Sequence, residues 1–368
     1  MLKVMTILGT RPEIIRLSRI IPRLDQCFEH RLVHTGQNGD YELNAIFFEQ
    51  FGIRAPDVNL GAARPTPAET IGQTIIAVDR ELEAFKPDAV LILGDTNSSL
   101  AAISAKRRGI TIFHMEAGNR CFDMRVPEEI NRKIVDHISD YNLPYSAIAR
   151  EYLLREGLPP QKIIRTGSPL REVLDHYRDQ IEASPILHEL GFDPSSYYVM
   201  SVHRQENVDS AERLRKLFEV IDAVAQRGEG PIVVSTHPRT RQRIESFGLS
   251  LPASALFHKP FGFFDYIKLQ SHARAVLSDS GTITEEASIL GFPALNLRDA
   301  HERPEGMEQA VAMMVGLEAA NVMQGLDILA QWPSPIRQLG EVGDYADANI
   351  SEKIVRIIAS HARIGASE

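Results

Sequence analysis

The stretch Asp88-Ala89-Val90-Leu91-Ile92-Leu93-Gly94-Asp95-Thr96 decides the fold. Its five consecutive apolar residues are too few for a helix of ordinary length and show no polar alternation, the pattern of a strand buried on both faces of a parallel sheet. A glycine, an aspartate and a threonine follow at once. They occupy the carboxyl end of the strand, where open α/β sheets place their chemistry.

Outward from this strand the same rhythm recurs. Val4–Leu8, Arg31–His34 and Thr111–Phe113 are short apolar runs separated by helical patterns, and the series restarts at Tyr197–Ser201, Ile232–Ser235, Ala275–Ser278 and Pro293–Asn296. Strands alternating with helices predict an α/β chain, and two such series predict two Rossmann-like doubly wound domains. The length agrees, since 368 residues exceed the roughly 250–300 that one hydrophobic core usually serves. Gly167-Ser168-Pro169 closes the first series, and a polar helical stretch from Leu170 to Glu189 leads to the turn Gly191-Phe192-Asp193-Pro194. We place the boundary near residue 170, giving domains 1–170 and 171–349, with a last helix over Ile350–His361 whose segment, 350–368, packs on either domain. Loops after the strands of both halves are expected to converge on one cleft.

Composition narrows the function. A net charge of −9 without a basic stripe argues against a nucleic-acid partner. Cys27 and Cys121 are too far apart for a metal or redox motif, the histidines lack paired ligand spacing, and no apolar run is long enough to cross a membrane. Nothing resembles a secretory signal. The expectation is a cytoplasmic enzyme or binding protein with no membrane anchor and no catalytic metal.

Chemistry concentrates in the loops after strands. Gly94-Asp95-Thr96 and His114-Met115-Glu116-Ala117-Gly118-Asn119-Arg120, running on to Pro127-Glu128-Glu129-Ile130-Asn131-Arg132, bring acids to neighbouring strand ends and suggest proton transfer. Each acid also has a structural role open to it: Asp95 as a helix cap, Glu116 as a partner of Arg120 or Arg125, Glu128 and Glu129 as a helix start. Gly9-Thr10-Arg11-Pro12-Glu13 precedes a helix, and free amides with Arg11 would form an anion pocket, Arg16 following about a turn later. In the second half Asp279-Ser280-Gly281-Thr282 opens the helix Ile283–Leu290, a seat for a diphosphate with a hydroxyl cap. Glu286 lies one turn on and is placed to accept from ribose hydroxyls. Arg298-Asp299 and His301-Glu302-Arg303-Pro304-Glu305 add a bidentate phosphate donor. His203-Arg204-Gln205-Glu206-Asn207 offers a histidine for a leaving phosphate, with His237-Pro238-Arg239 a weaker version. Phe261, Phe263, Phe264 and Tyr266 are candidates to stack on a base, against a core role.

Taken in order, Gly9-Thr10-Arg11-Pro12-Glu13, Gly94-Asp95-Thr96, Glu116-Ala117-Gly118, Pro127-Glu128-Glu129, His203-Arg204, Asp279-Ser280-Gly281 and Glu302-Arg303-Pro304-Glu305 resemble the non-hydrolysing UDP-N-acetylglucosamine 2-epimerase family along nearly the whole chain. The resemblance implies a GT-B-type pair of domains, a homodimer, and a UDP-sugar held without nicotinamide or an obligatory metal, so that no cofactor is expected. It implies acid/base or transition-state roles for Asp95, Glu116 and Glu128, and His203 at the UDP phosphates. Arg11, Arg16, Tyr266, Ser280, Gly281, Thr282, Glu286 and Arg303 would bind UDP. Arg16 stands where the family commonly has lysine, Thr282 where it has a second glycine, and Phe261 where a polar residue on the uracil side occurs. Asn119-Arg120-Cys121-Phe122-Asp123-Met124-Arg125 with Asp279–Glu286 is most similar to the branch that forms UDP-N-acetyl-L-fucosamine from UDP-2-acetamido-2,6-dideoxy-L-talose. Phe122 or Met124 would there meet the sugar's methyl, a contact worth about 1–3 kcal/mol of discrimination. The setting such a branch implies is capsule or O-antigen polysaccharide synthesis.

The hydrogen on C2 is not adjacent to a carbonyl, so the mechanism implied begins at C1. UDP leaves, a carboxylate takes the C2 proton, and a 2-acetamidoglycal results. A proton returned to the opposite face, followed by re-addition of UDP, inverts C2. UDP-N-acetylglucosamine is the alternative substrate. A GT-B glycosyltransferase and a non-catalytic UDP-sugar sensor are the alternatives of other classes.

Overall fold

Gly94 leaves the fold-deciding strand in a left-handed conformation and sets the chain on its way across the sheet edge. In the computed structural model, which describes residues 1–37, 41–299, 303–331 and 341–362, that strand is β4 of a six-stranded sheet. The first sheet comprises β1 (Lys3–Leu8), β2 (Glu29–His34), β3 (Val58–Asn59), β4 (Ala89–Leu93), β5 (Thr111–Met115) and β6 (Tyr141–Leu143). The second comprises β7 (Tyr198–Ser201), β8 (Ile232–Ser235), β9 (Leu256–His258), β10 (Ala275–Ser278), β11 (Ala294–Asn296) and β12 (Met313–Met314).

Both sheets are parallel throughout, in the orders β3-β2-β1-β4-β5-β6 and β12-β11-β10-β7-β8-β9. Counted within its own unit, each has the order 3-2-1-4-5-6 of a Rossmann sheet, with the reversal of direction between its first and fourth strands. The chain divides into two units, Met1–Val173 with Asp344–Glu368, and Leu174–Gly343. The helix Ile350–His361 belongs to the first: Ser351 N–H donates to Glu172 Oε2 at 2.8 Å, and the His361 and Tyr141 rings lie 4.5 Å apart.

Burial follows from the apolar runs. In the first unit Met5, Ile7, Val90, Ile92 and Ile112 pack with Val78, Leu82, Leu100, Ala105 and Val135 from flanking helices. In the second, Tyr198, Met200, Leu277 and Leu295 pack with Leu217, Ile221 and Val224 of the helix Ala211–Gln226 and with Val322 and Leu326. At about 1.5–3 kcal/mol per fully buried large side chain, these layers are the main favourable term in each unit.

All eight strands expected from the sequence are present. The four not anticipated, β3, β6, β9 and β12, are two or three residues long, too short for a readable period. The polar helical stretch expected from about Leu170 to Glu189 holds three helices, Leu170–His176, Arg178–Glu182 and Ile186–Leu190. Pro185 precedes the third; its ring and missing N–H forbid an unbroken helix through this point.

Register then fixes what stands at the carboxyl edges. Leu93 of β4 pairs with Met115 of β5, so Gly94-Asp95 and Glu116 leave the sheet side by side. Ser278 of β10 pairs with Ser201 of β7, so Asp279 emerges next to the His203 loop.

Candidate active site

In the first unit the loops after β1, β4 and β5 meet at the sheet's reversal point. Gly9 is required there by close approach: a Cβ would lie 2.1 Å from Ser98 Oγ and 2.2 Å from Thr35 Oγ1. Glu116 sits at φ +63°, a left-handed conformation that costs a non-glycine residue roughly 1–2 kcal/mol. Such strain persists where surrounding contacts over-determine it. Arg16 Nε lies 3.7 Å from Glu116 Oε2, and Asn119 Nδ2 donates to Glu116 Oε1 at 3.3 Å. Arg16 is itself buried, with Ser168 Oγ at 3.4 Å and the Tyr145 ring centroid at 5.5 Å.

Asp95 is held from the helix Pro127–Ile138. Arg132 donates from Nε (3.0 Å) and Nη2 (2.6 Å) to Asp95 Oδ2, and its Nη1 reaches Glu129 Oε2 at 3.0 Å. Asn131 Nδ2 bonds the Asp95 carbonyl at 2.9 Å. Glu129, fully buried, also accepts from Cys121 N–H. Asp136, one turn beyond Arg132, accepts from Gly118 N–H (3.1 Å) and Arg120 Nη1 (2.7 Å) and lies 2.9 Å from His114 Nδ1. One face of this helix therefore braces both acid loops, because positions three and four apart share a face. Glu128 is half-buried in its first turn.

Glu13 ties the β1 loop to the β4 loop. Its Oε2 accepts from Gly9 N–H (2.5 Å) and Thr10 N–H (2.8 Å), and its Oε1 from the Thr96 hydroxyl (2.7 Å). Burial pushes its carboxyl up to about 7 against the lowering effect of those donors.

In the second unit the reversal point carries a different arrangement. Asp279, fully buried, accepts from His203 N–H (3.1 Å), Arg204 N–H (2.9 Å) and Asn207 Nδ2 (3.0 Å), and His203 Nδ1 lies 3.3 Å from its Oδ1. Beside it the Ser280 and Thr282 hydroxyls lie 3.0 Å apart, and Arg303 Nε donates to the Gly281 carbonyl at 3.1 Å while its Nη2 pairs with Glu285 at 3.1 Å.

Several expectations change. The Gly9 and Thr10 amides serve Glu13, so the β1 loop is not a free anion pocket; Arg11 is exposed, over the Phe47 ring at 5.4 Å. Arg16 joins Glu116. Glu116 does not pair with Arg120, which is committed to Asp136 and Glu156, nor with Arg125, which pairs with Asp123. Neither hydroxyl caps the helix Ile283–Leu290: Thr282 makes no side-chain cap bond, and Ser280 Oγ accepts from Thr282 N–H at 3.3 Å. Glu286 is buried and accepts from Gln270 Nε2 at 2.9 Å, and Arg303, also buried, braces the Gly281 turn from within. Arg298 pairs with Glu206, and His237 caps its own helix by accepting from Arg239 N–H. Phe261 stacks on His258 with centroids 4.2 Å apart, Phe263 is buried, and Phe264 and Tyr266 are half-buried on the helix Phe263–His272. His301 and Glu302 lie outside the described residues.

Sequence reasoning named Glu13, His114, Arg132 and Asp279 only as members of motifs and passed over Asp136. The 129/132/136 spacing was a readable signal, as was a histidine inside the apolar run of β5.

Two Rossmann-like units, one presenting acids and one presenting a serine- and glycine-bearing turn at a helix start, place the chain among doubly wound α/β proteins of the nucleotide-binding type. Comparison with known proteins narrows it. Residues 23–359 match the family model described as UDP-N-acetylglucosamine 2-epimerase. The structure of UDP-N-acetylglucosamine 2-epimerase from Rickettsia bellii is 48% identical, with a TM-score of 0.90 over 98% of this chain and 97% of that one. That of Methanocaldococcus jannaschii UDP-GlcNAc 2-epimerase in complex with UDP-GlcNAc and UDP is 33% identical, with a TM-score of 0.89 over 98% and 100%. A UDP-2,3-diacetamido-2,3-dideoxy-D-glucuronate 2-epimerase from Pseudomonas aeruginosa is 34% identical over 86% of this chain and 88% of its own. The chain belongs to the UDP-N-acetylglucosamine 2-epimerase family and is an isomerase, a UDP-sugar 2-epimerase. Among the described residues, no helix is long and apolar enough to cross a membrane.

Proposed function

We propose that the chain interconverts UDP-2-acetamido-2,6-dideoxy-L-talose and UDP-N-acetyl-L-fucosamine. The observation that carries the reaction type is the cluster at one carboxyl edge, where Asp95 and Glu116 leave adjacent strands in register and Glu128 opens the helix that braces them. The C1–O bond breaks with its electron pair going to UDP, a carboxylate takes the C2 proton, and the C1–C2 double bond of a 2-acetamidoglycal forms. A second carboxylate returns a proton to the other face, and the UDP oxygen adds back to C1. Unlike environments for the acids suit this exchange of roles.

His203 and the Ser280–Thr282 turn hold the departing diphosphate, with Arg11, Arg16, Tyr266, Glu286 and Arg303 assigned to UDP, and Arg303 also braces that turn through the Gly281 carbonyl. Arg16, beside Glu116, orients the acid. Electrostatic stabilisation of the leaving group is the larger contribution expected of such donors. The finer substrate reading is supported by the loop after Glu116. Phe122 is 67% exposed at φ +56°, its ring edge-on to Tyr152 at 5.1 Å. An apolar ring displayed there suits a 6-deoxy sugar's methyl. The names of the relatives favour UDP-N-acetylglucosamine as the second reading. The resemblance also supports a homodimer, which the mass in solution tests.

Proton NMR in deuterated water, with each UDP-sugar supplied separately and no cofactor added, decides between these. Deuterium at C2 of a new L-fuco isomer is the expected result. Exchange with UDP-N-acetylglucosamine alone would keep the reaction and change the substrate. Exchange with neither would return the glycosyltransferase and sensor readings.

A further inference from the structure

We propose that His114 is a positioning residue whose charged ring, hydrogen-bonded to the Gly94 carbonyl and ion-paired with Asp136, clasps the Asp95 loop to the Glu116 loop. The inference rests on the reading of Asp95 and Glu116 as the acids of the reaction, and adds a residue that touches no substrate.

His114 interrupts the apolar run Thr111-Ile112-Phe113-His114-Met115 and is fully buried. A buried imidazole must be satisfied at both nitrogens or bear the cost of desolvation. Its Nε2 lies 2.8 Å from the carbonyl oxygen of Gly94, and its Nδ1 lies 2.9 Å from Asp136 Oδ1. Both neighbours are acceptors. A neutral imidazole has one N–H and would turn a lone pair on one of these oxygens, whereas the imidazolium hydrogen-bonds the Gly94 carbonyl and sets its charge against Asp136.

The same contacts connect the two acids. Gly94 immediately precedes Asp95. Asp136 Oδ2 accepts from Gly118 N–H, two residues beyond Glu116, and from Arg120 Nη1. The path Gly94 carbonyl, His114, Asp136, Gly118 amide thus spans from one acid loop to the other inside the sheet edge. Gly118 has φ +83°, and a Cβ there would lie 2.4 Å from the Ala149 carbonyl, so this backbone has no room to shift away. The left-handed Glu116 turn needs such a restraint.

Charge balances within the cluster. The imidazolium and Arg120 face Asp136, Arg120 continues to Glu156, and Asp95 acts on the ring from beyond Gly94. Burial disfavours the charged ring, but Asp136, the Gly94 carbonyl and Asp95 together outweigh it and hold His114 above the usual histidine range. Burial likewise opposes the charge on Asp136, and His114 and Arg120 together hold it below the usual carboxylate range.

The test uses the full chain labelled with 15N-histidine, with His114→Gln to assign the ring. At pH 7 both His114 ring nitrogens are expected in the protonated range, each with an observable N–H; a neutral single tautomer overturns the proposal, and this reading of the wild type stands even if the variant does not fold. With UDP-sugar, folded His114→Gln is expected to lose about ten- to hundredfold in kcat at unchanged KM, the size of loss that a misplacement near 1 Å produces. A variant turning over at the wild-type rate overturns the clasp. A wild type that binds UDP but exchanges no C2 proton removes the acid/base reading instead, and the ring measurement still decides the charge on His114.

Discussion

The two carboxyl edges share one strand order and differ in what is buried behind the loops. Behind Asp95 and Glu116 lie cations, Arg16, Arg132, Arg120 and His114, each directed at a carboxylate. Behind His203 and Ser280 lies a carboxylate, Asp279, directed at N–H groups. On the function proposed above, the acids are the working groups of the first unit; Arg16 and Arg132 hold their carboxylates, and Arg120 and His114 hold Asp136 behind the loops. On the same proposal the second unit works through donors around a turn, and one acid, Asp279, holds the backbone beside them. Proton transfer and anion binding thus need inverse supports from the same scaffold.

The sharpest way to break this comparison is to remove the acids. Asp95→Asn and Glu116→Gln are each expected to lower turnover by about 10²–10⁴ while leaving UDP affinity, measured by calorimetry, close to wild type. Turnover retained in both would end the division of labour between the units.

Glu13 offers a pH test within the first edge. Its folded value of about 7 lies above the ordinary 4.5, so the folded chain binds this proton more tightly than the unfolded one. The resulting stability is complete below about pH 4.5 and is lost as pH rises through 7, an effect on the order of 3 kcal/mol. Urea unfolding of wild type against Glu13→Gln at pH 5 and pH 8 should show the wild type losing more; equal losses would place the proton elsewhere.

Asp279→Asn probes the second edge. An amide has one oxygen, and with it placed under the Arg204 and Asn207 donors its NH2 replaces the oxygen that faces the His203 N–H and ring, at a cost of about 1–3 kcal/mol to the second unit. UDP binding should weaken with it, raising KM more than it lowers kcat. An unchanged UDP affinity would detach this turn from the ligand. The smallest effect is expected at Phe122→Ala, which should shift the kcat/KM ratio between the 6-deoxy substrate and UDP-N-acetylglucosamine by roughly tenfold or more in the latter's favour. No shift would take Phe122 out of substrate choice.

Much of this was legible beforehand. The run Ala89–Leu93 and its counterparts carry their burial in their composition, and the motifs Gly94-Asp95-Thr96 and Asp279-Ser280-Gly281 mark strand ends by position. Arg16 shows the limit. Its helical spacing from Arg11 suggested a shared phosphate role, yet the two diverge, one over Phe47 and the other under Glu116. Glu13 was read as part of a turn, although its carboxylate consumes the amides that the turn offered.

By itself the sequence determined two parallel α/β units, their approximate boundary and the loops that hold reactive groups, because apolar periodicity and turn residues act over a few neighbours. Only the tertiary structure decided which charge faces which: Arg132 with Asp95, Asp136 with His114 and Arg120, Asp279 with His203. Those pairs join segments up to 76 residues apart, and they form only once strand order and register have set the loops side by side.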